Sequence, residues 1–185
     1  MNKKYKILIV LIILFFVACL IIVLKGNNST NIDLVSDNVV RSTLLGLRTD
    51  NMDNNSCIIG SQKSIELFVD TAGENIVGLD AVINYSSDKI KIISIEQGNN
   101  FQFYPLKKIE KDKISISALK EPSTSISGNL KVADILIECL QEGEASMKFN
   151  FKAGSTIDSN IVKLNSANDI LGNVINLKFD IKISD

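Results

Sequence analysis

The sequence predicts an all-β domain, an antiparallel jelly-roll or immunoglobulin-like β-sandwich of about nine strands, preceded by one transmembrane helix. Short segments after residue 40 alternate apolar and polar residues with a period of two. No stretch after residue 30 sustains a helical period over three turns, and one long apolar run lies near the N-terminus. We therefore expect an anchor over residues 1–25, a polar, Asn-rich linker over residues 26–38 and the sandwich over residues 39–185.

Each predicted strand is marked by its alternation and is bounded by turn residues. In residues 174–183 five apolar residues share the face expected to be buried, including Ile175 and Ile183. Phe68 falls on the face opposite the buried one, and a change of phase at Ile92 and Ile93 predicts a β-bulge. One-sided alternation favours antiparallel sheets with one solvated face. The predicted strands are residues 43–47, 64–70, 78–85, 89–96, 113–119, 132–139, 144–151 and 174–183.

The apolar run begins at Ile7, ends at Leu24 and contains no charged residue. At about 1.5 Å per residue it spans roughly 27 Å, close to the thickness of a bilayer's hydrocarbon core. Three lysines within the first six residues predict a cytoplasmic N-terminus and an extracellular C-terminal domain in the cell membrane. A cleaved secretory signal and a lipoprotein signal at Cys19 are the alternatives.

Composition excludes several classes of function. The sequence has no His, which removes Ser-His-Asp and Cys-His catalysis and every His-ligated metal site. Residues 1–25 carry four Lys and no acidic residue, so the remainder carries 16 basic and 21 acidic side chains, a net charge of −5. An acidic domain does not attract phosphate backbones, so we expect no nucleic-acid partner. The acidic residues are scattered over the strands, and we predict no enzyme and no cofactor.

Two of the three cysteines, Cys57 and Cys139, lie in the part expected to be extracellular, where disulfides persist. The sequence leaves open whether they form a disulfide or whether Cys139 is a small core residue and Cys57 a free thiol. The segment DNMDNN at residues 50–55 offers alternating carboxylate and amide oxygens. It lacks the Gly and Glu of an EF-hand-type calcium loop at the required places. We interpret it as an ordinary polar loop and predict no metal.

Three segments stand out by their order and by their Gly and apolar positions: SIELFVDTAGENIVGLDAVINYSSDKIKIISIEQG, SGNLKVADILIECLQEGEASMKF and NDILGNVINLKFDIKI. In these features they resemble the cohesin domain, and the resemblance covers roughly residues 43–183. Gly128 and Leu130 match the family's Gly-x-Leu, whereas Tyr-Ser-Ser-Asp at residues 85–88 replaces its Tyr-Asp-Pro. The resemblance implies a nine-stranded sandwich related to carbohydrate-binding modules. It also implies binding of a dockerin protein, in systems that assemble polysaccharide-degrading enzymes.

The same resemblance implies one partner-binding residue. In the family, the dockerin-binding face carries an Asn-x-Asp pair on the strand that leads to that Tyr, and this sequence has Gly78 and Asp80 there. Asp80 is therefore a candidate and Gly78 is not. Alternation places Asp80 opposite Leu79 and Ala81, on the solvated face, with Val82 beside it. An apolar residue next to an acidic one suits a small interface.

Other interpretations stay open at this point. Asp80 is also consistent with an ordinary solvated acid on a strand face. Carbohydrate binding is the main alternative function. The only aromatic cluster is NNFQFYPLKK, where alternation places Phe101 and Phe103 in the core and leaves Tyr104 at the surface as the candidate sugar-binding residue. A surface spacer or adhesin without a dedicated ligand is the second alternative. The favoured prediction is a non-catalytic cell-surface module that binds a dockerin-like protein.

Overall fold

The computed structural model describes residues 42–49, 56–155, 157–166 and 168–184. The predictions for the anchor from Ile7 to Leu24, the polar linker, Cys19 and the loop at residues 50–55 lie outside the described residues. The described residues contain no helix that is long enough and apolar enough to span a membrane. The boundaries of the predicted segments therefore stay predictions.

The described residues form two β-sheets whose inner faces enclose one core. One sheet has the strand order β11-β1-β3-β8-β5, and the other has the order β2-β12-β9-β4-β7-β6, with β10 paired to β4. The strands are β1 (Leu44–Thr49), β2 (Ser56–Ile58), β3 (Gln62–Asp70), β4 (Ile76–Tyr85), β5 (Ile90–Gln97), β6 (Phe103–Ile109), β7 (Lys113–Leu119), β8 (Asn129–Cys139), β9 (Gly143–Phe149), β10 (Asn160–Lys163), β11 (Asn173–Ile175) and β12 (Leu177–Lys182).

The prediction of an all-β sandwich is confirmed, and all eight predicted segments contain strands. The predicted bulge is also present, as a shift of register between Ile92 and Ser94 of β5. The described residues hold twelve strands rather than nine, because the alternation did not indicate β2, β6 and β10 and because the last segment divides in two. Two pairs, β1 with β11 and β12 with β2, are parallel, so the sheets are not purely antiparallel.

The core is built from the inward residues of both sheets. Leu79, Ala81 and Ile83 of β4 are buried, and so are Ile135 and Ile137 of β8. Successive side chains of a strand point to opposite faces, so these buried residues fix the intervening ones on the outer faces. The largest fully buried side chains are Leu45, Ile65, Leu67, Ile76, Leu79, Ile83, Ile90, Ile114, Ile116, Ile135, Ile137 and Met147.

Phe68 departs from the prediction, because it is buried although it lies on an outer face. Its ring covers Gly46 of the neighbouring strand, where a Cβ would come within 2.3 Å of the ring. The guanidinium of Arg48 lies 4.4 Å from the ring centroid, at cation–π distance. The missing side chain at Gly46 thus makes room for an aromatic ring that simple alternation assigns to solvent.

Ile175 and Ile183 also depart from the prediction, since 44% and 62% of their surfaces are exposed. The run is interrupted at Asn176, whose side-chain oxygen accepts a hydrogen bond of 2.8 Å from the backbone N–H of Phe149. The chain passes from one sheet to the other at this point, so β11 and β12 belong to different sheets. Ile183 lies beyond the end of β12.

Cys57 and Cys139 form a disulfide, with 6.4 Å between their Cα atoms. Cys57 lies on β2 of one sheet and Cys139 ends β8 of the other, so the bond links the two sheets. The two residues are 82 positions apart, and closing so long a loop removes much conformational freedom from the unfolded chain. The interpretation of Cys57 as a free thiol is therefore wrong.

We expect reduction of this disulfide to lower the free energy of unfolding by about 2–4 kcal/mol. The measurement is urea unfolding of the oxidised protein with and without a thiol reductant. The double variant Cys57→Ala, Cys139→Ala is the control, because Cys19 is its only remaining cysteine and its midpoint should not respond to the reductant. Equal midpoints for the reduced and oxidised natural protein would contradict the prediction.

Candidate functional site

Asp80 and Val82 lie on the outer face of the second sheet, where the alternation of β4 predicts them. β4 is an interior strand, with β7 on one side and β9 and β10 on the other. In the observed register Asp80 lies between Ser117 of β7 and Asn160 of β10, and Val82 lies opposite Ser115 of β7. Because β4 is paired on both sides, the residues beside Asp80 and Val82 are set by the register of the neighbouring strands.

Both carboxylate oxygens of Asp80 accept hydrogen bonds from neutral side chains. The Ser117 hydroxyl donates to Oδ1, and the Asn160 side-chain amide donates to Oδ2 over 3.1 Å. No ion pair involves Asp80 within the described residues. The carboxylate is therefore held in one orientation without a basic side chain to neutralise it.

The segment between β9 and β10 is tied to β4 at Val82. The backbone N–H of Val82 donates to the Ser159 hydroxyl over 3.0 Å, and the Val82 carbonyl accepts from the N–H of Asn150 over 2.7 Å. Ser159 is fully buried, so these hydrogen bonds attach a buried residue of the segment to β4. This anchoring sets the position of the two residues that precede Ser159, Ile157 and Asp158.

A shallow depression of about 250 Å³ lies on the outer face beside Asp80. Among its lining residues Val82, Leu106 and Ile157 are apolar, and 41% of Leu106 and 94% of Ile157 are exposed. Its polar lining residues are Asp80, Ser115, Ser117, Asp158 and Asn160. Exposed apolar side chains around a polar centre are typical of surfaces that bind another molecule.

Two further exposed apolar side chains extend this surface along β6 and β7. Phe103 lies opposite Leu119, and 51% and 41% of their surfaces are exposed. Directly opposite residues share one face of a sheet, so both side chains lie on the same outer face as Asp80. We call the following set the outer-face cluster: Asp80, Val82, Phe103, Leu106, Leu119 and Ile157.

Gly78 lies on β4 at the place where the family pattern has an Asn. A Cβ at Gly78 would lie 2.5 Å from Cδ2 of Leu119 and 2.9 Å from the carbonyl oxygen of Ala118. Leu119 therefore takes the space that a side chain at position 78 would need. Because Leu119 is 41% exposed, this end of the cluster is apolar.

The aromatic segment differs from its prediction. Phe101 is buried as expected, but Phe103 is exposed, so the prediction that both fill the core is wrong for Phe103. The register between β6 and β7 shifts between Phe103 and Leu106, which ends the simple alternation. Pro105, which has no N–H to donate to the ladder, lies within this irregular stretch.

Tyr104 is half-buried and packs against the core rather than standing at the surface. Its hydroxyl donates to the Val132 carbonyl over 2.6 Å, and the Gly98 carbonyl lies 3.2 Å from the same oxygen. Burial raises the pKa of this hydroxyl above its ordinary value of 10. Tyr104 thus links β6 to the other sheet through its hydroxyl.

Sequence reasoning missed the residues that complete the depression. Asp158 and Asn160 are 6% and 8% exposed, and both follow a loop that no strand pattern identifies. Asn160 is the first residue of β10, and Asp158 lies two positions before it, so no alternation within a strand marks the pair. Within the described residues, no group of three or more acidic or cysteine side chains converges in a way that could hold a metal.

Comparisons with solved structures identify the class of fold. The seventh ScaB type I cohesin from Pseudobacteroides cellulosolvens is 13% identical, with a TM-score of 0.62 over 78% of this chain and 94% of that one. The Coh-OlpA–Doc918 type I cohesin–dockerin complex from Clostridium thermocellum matches at 16% identity, with a TM-score of 0.60 over 77% of this chain and 100% of that one. A non-cellulosomal cohesin from the archaeon Archaeoglobus fulgidus matches at 12% identity, with a TM-score of 0.58 over 77% and 92%.

The chain therefore has a cohesin-like fold. No protein-family model and no curated protein matches the sequence. Identities this low establish the fold alone.

We expect Tyr104→Phe to lower the free energy of unfolding by about 1 kcal/mol, because it removes the hydrogen bond to the Val132 carbonyl. The raised pKa means that the fold favours the neutral hydroxyl. Its contribution is complete below about pH 10 and declines as the pH rises through the raised pKa. Urea unfolding at pH 7 and pH 11 should show a smaller difference between the two proteins at pH 11. A difference that grows with pH would contradict this assignment.

Proposed function

We propose that the chain is a non-catalytic binding module and that its outer-face cluster binds a protein partner of the dockerin type. The observation that carries this proposal is the oriented, un-neutralised Asp80 carboxylate surrounded by exposed apolar side chains. Apolar anchors with a small number of fixed polar groups are the usual composition of a protein interface. The cohesin-like fold supports the type of partner, since one similar structure is a cohesin–dockerin complex.

We also propose that the protein is a single-pass membrane protein that displays the sandwich outside the cell, with the N-terminus in the cytoplasm. The apolar run from Ile7 to Leu24 and the lysines before it support this topology. A dockerin-bearing partner would then be held at the cell surface. If that partner is a polysaccharide-degrading enzyme, the protein would hold polysaccharide degradation at the cell surface.

Carbohydrate binding has weaker support. Its sequence candidate, Tyr104, is engaged in hydrogen bonds to the backbone, and the exposed Phe103 lies beside Leu119 on an open sheet face. A ring on an open face offers one contact to a sugar, whereas a small-molecule site is concave and surrounds its ligand. The binding experiment described below distinguishes carbohydrate binding and a spacer role from protein binding.

We expect the variant Asp80→Lys, Val82→Glu to bind its partner at least about 100-fold more weakly, because it reverses one charge and places another in the apolar part of the cluster. The full chain in detergent is immobilised and exposed to protein from its native culture, with and without a calcium chelator. The supporting result is one retained protein with paired EF-hand-like loops, lost with the variant.

Glu96→Lys is the matched control, because it makes the same type of charge reversal at an exposed position on β5 of the other sheet. It should bind like the natural protein. Equal retention by all three proteins would remove the outer-face cluster from the interface. Retention of polysaccharide alone would favour carbohydrate binding, and no specific retention would favour the spacer.

A second prediction concerns the apolar part of the cluster. We expect Phe103→Ala to weaken partner binding by about tenfold or more, since an exposed aromatic ring is a typical interface anchor. Its free energy of unfolding should change by less than about 0.5 kcal/mol, because half of the ring is exposed in the free protein. Ile183→Ala, an exposed apolar truncation beyond β12, is the control and should leave affinity unchanged. Equal affinities for both variants would exclude Phe103 as an anchor.

A further inference from the structure

Two buried side-chain oxygen atoms, on residues that line the depression, have no hydrogen-bond partner within the described residues. They are Oδ1 of Asp158 and Oδ1 of Asn160. Both residues are more than nine-tenths buried, and both line the depression next to Asp80. Buried polar atoms are nearly always paired, so two unpaired acceptors two positions apart require a partner that supplies donors or positive charge.

The hydrogen bonds of Asp158 and Asn160 determine which of their side-chain oxygens have no partner. Oδ2 of Asp158 accepts from the backbone N–H of Lys152 over 2.7 Å. The Asn160 amide nitrogen donates to Oδ2 of Asp80 over 3.1 Å and to the Asp158 carbonyl over 3.3 Å. A flipped Asn160 amide would place oxygen against two oxygens, so the observed orientation is the only one compatible with its neighbours.

The charges at this place are unbalanced. Neither Asp80 nor Asp158 forms an ion pair within the part of the chain that the structure describes. An ionised carboxylate that is taken out of water without a cation is strongly unfavourable. A bound cation would satisfy the free oxygens and balance the two negative charges together.

We propose that Asp158 and Asn160 ligate a calcium ion through these two oxygens, with Asp80 adding negative charge beside them. The available ligands are carboxylate, amide and hydroxyl oxygens, which hard cations prefer. Softer metals are disfavoured because the chain has no His and both Cys57 and Cys139 are in the disulfide. Calcium tolerates irregular sites completed by water better than magnesium does.

This inference goes beyond the proposed function, because the ion binds in the absence of a partner. It is also separate from residues 50–55, which the sequence analysis interprets as an ordinary polar loop. Two carboxylates and one amide make a site of low charge, so we expect a Kd of about 10⁻⁴–10⁻³ M, the range of extracellular calcium modules.

The test measures calcium binding by the full chain in detergent, using calorimetric titration and thermal melts in calcium or in chelator at matched ionic strength. The natural protein should bind one calcium and melt several degrees higher with it. Asp158→Asn keeps the shape and the acceptor for the Lys152 N–H but removes the charge, and it should weaken binding at least tenfold. In chelator it should melt no lower than the natural protein, which separates loss of the ion from loss of the fold.

Two controls complete the experiment. Asp180→Asn removes one exposed charge from β12 of the same sheet and should leave calcium binding intact. The double variant Asp50→Asn, Asp53→Asn removes the charges of the polar loop and should also bind normally. The inference is overturned if the natural protein binds no calcium up to 10 mM, a range set by the expected affinity, or if Asp158→Asn binds as tightly as the natural protein. It is equally overturned if the loop variant alone loses the ion.

Discussion

The position of β4 inside its sheet is the constraint on which the rest of the molecule depends. Leu79, Ala81 and Ile83 are buried, and a shift of one residue in register would exchange them for Asp80 and Val82. That shift would place a carboxylate in an apolar core, which folding does not tolerate. The buried face of β4 therefore determines where the acidic centre of the outer-face cluster lies. Pairing with β7 and β10 then supplies the two donors that orient it.

The elements predictable from sequence are those whose environment differs between their two faces. Strands such as β4, β7 and β8 have one buried and one outer face, and their alternation identified them and the outward position of Asp80. The failures have local causes. Phe68 is buried because Gly46 leaves room above it, Phe103 turns outward at a shift of register, and Asn176 divides one apolar run between two sheets. None of these contacts between distant residues is encoded in a local period.

The site was predictable only in part for the same reason. Asp80 was found through a family resemblance and the alternation of its own strand. The other groups around it come from β6, β7, β10 and the segment before β10, up to 80 residues away in sequence. Asp158 and Asn160 reach Asp80 only in the folded chain, and Tyr104 is half-buried rather than at the surface because its hydroxyl reaches a carbonyl of the opposite sheet. Side-chain partners of this kind are set by tertiary packing and are outside what single-sequence patterns report.

A cohesin-like sandwich can serve as a scaffold for many surfaces, so the outer-face cluster carries the functional argument. Hydroxyl-radical footprinting of the chain, free and mixed with a dockerin-bearing protein of the same cell, tests that argument most directly because it reports side-chain exposure. The account predicts reduced oxidation at Phe103, Leu106 and Ile157, with Ile175 and Ile183 unchanged as exposed apolar references. Binding that protects Ile175 or Ile183 and leaves Phe103, Leu106 and Ile157 fully reactive would contradict it.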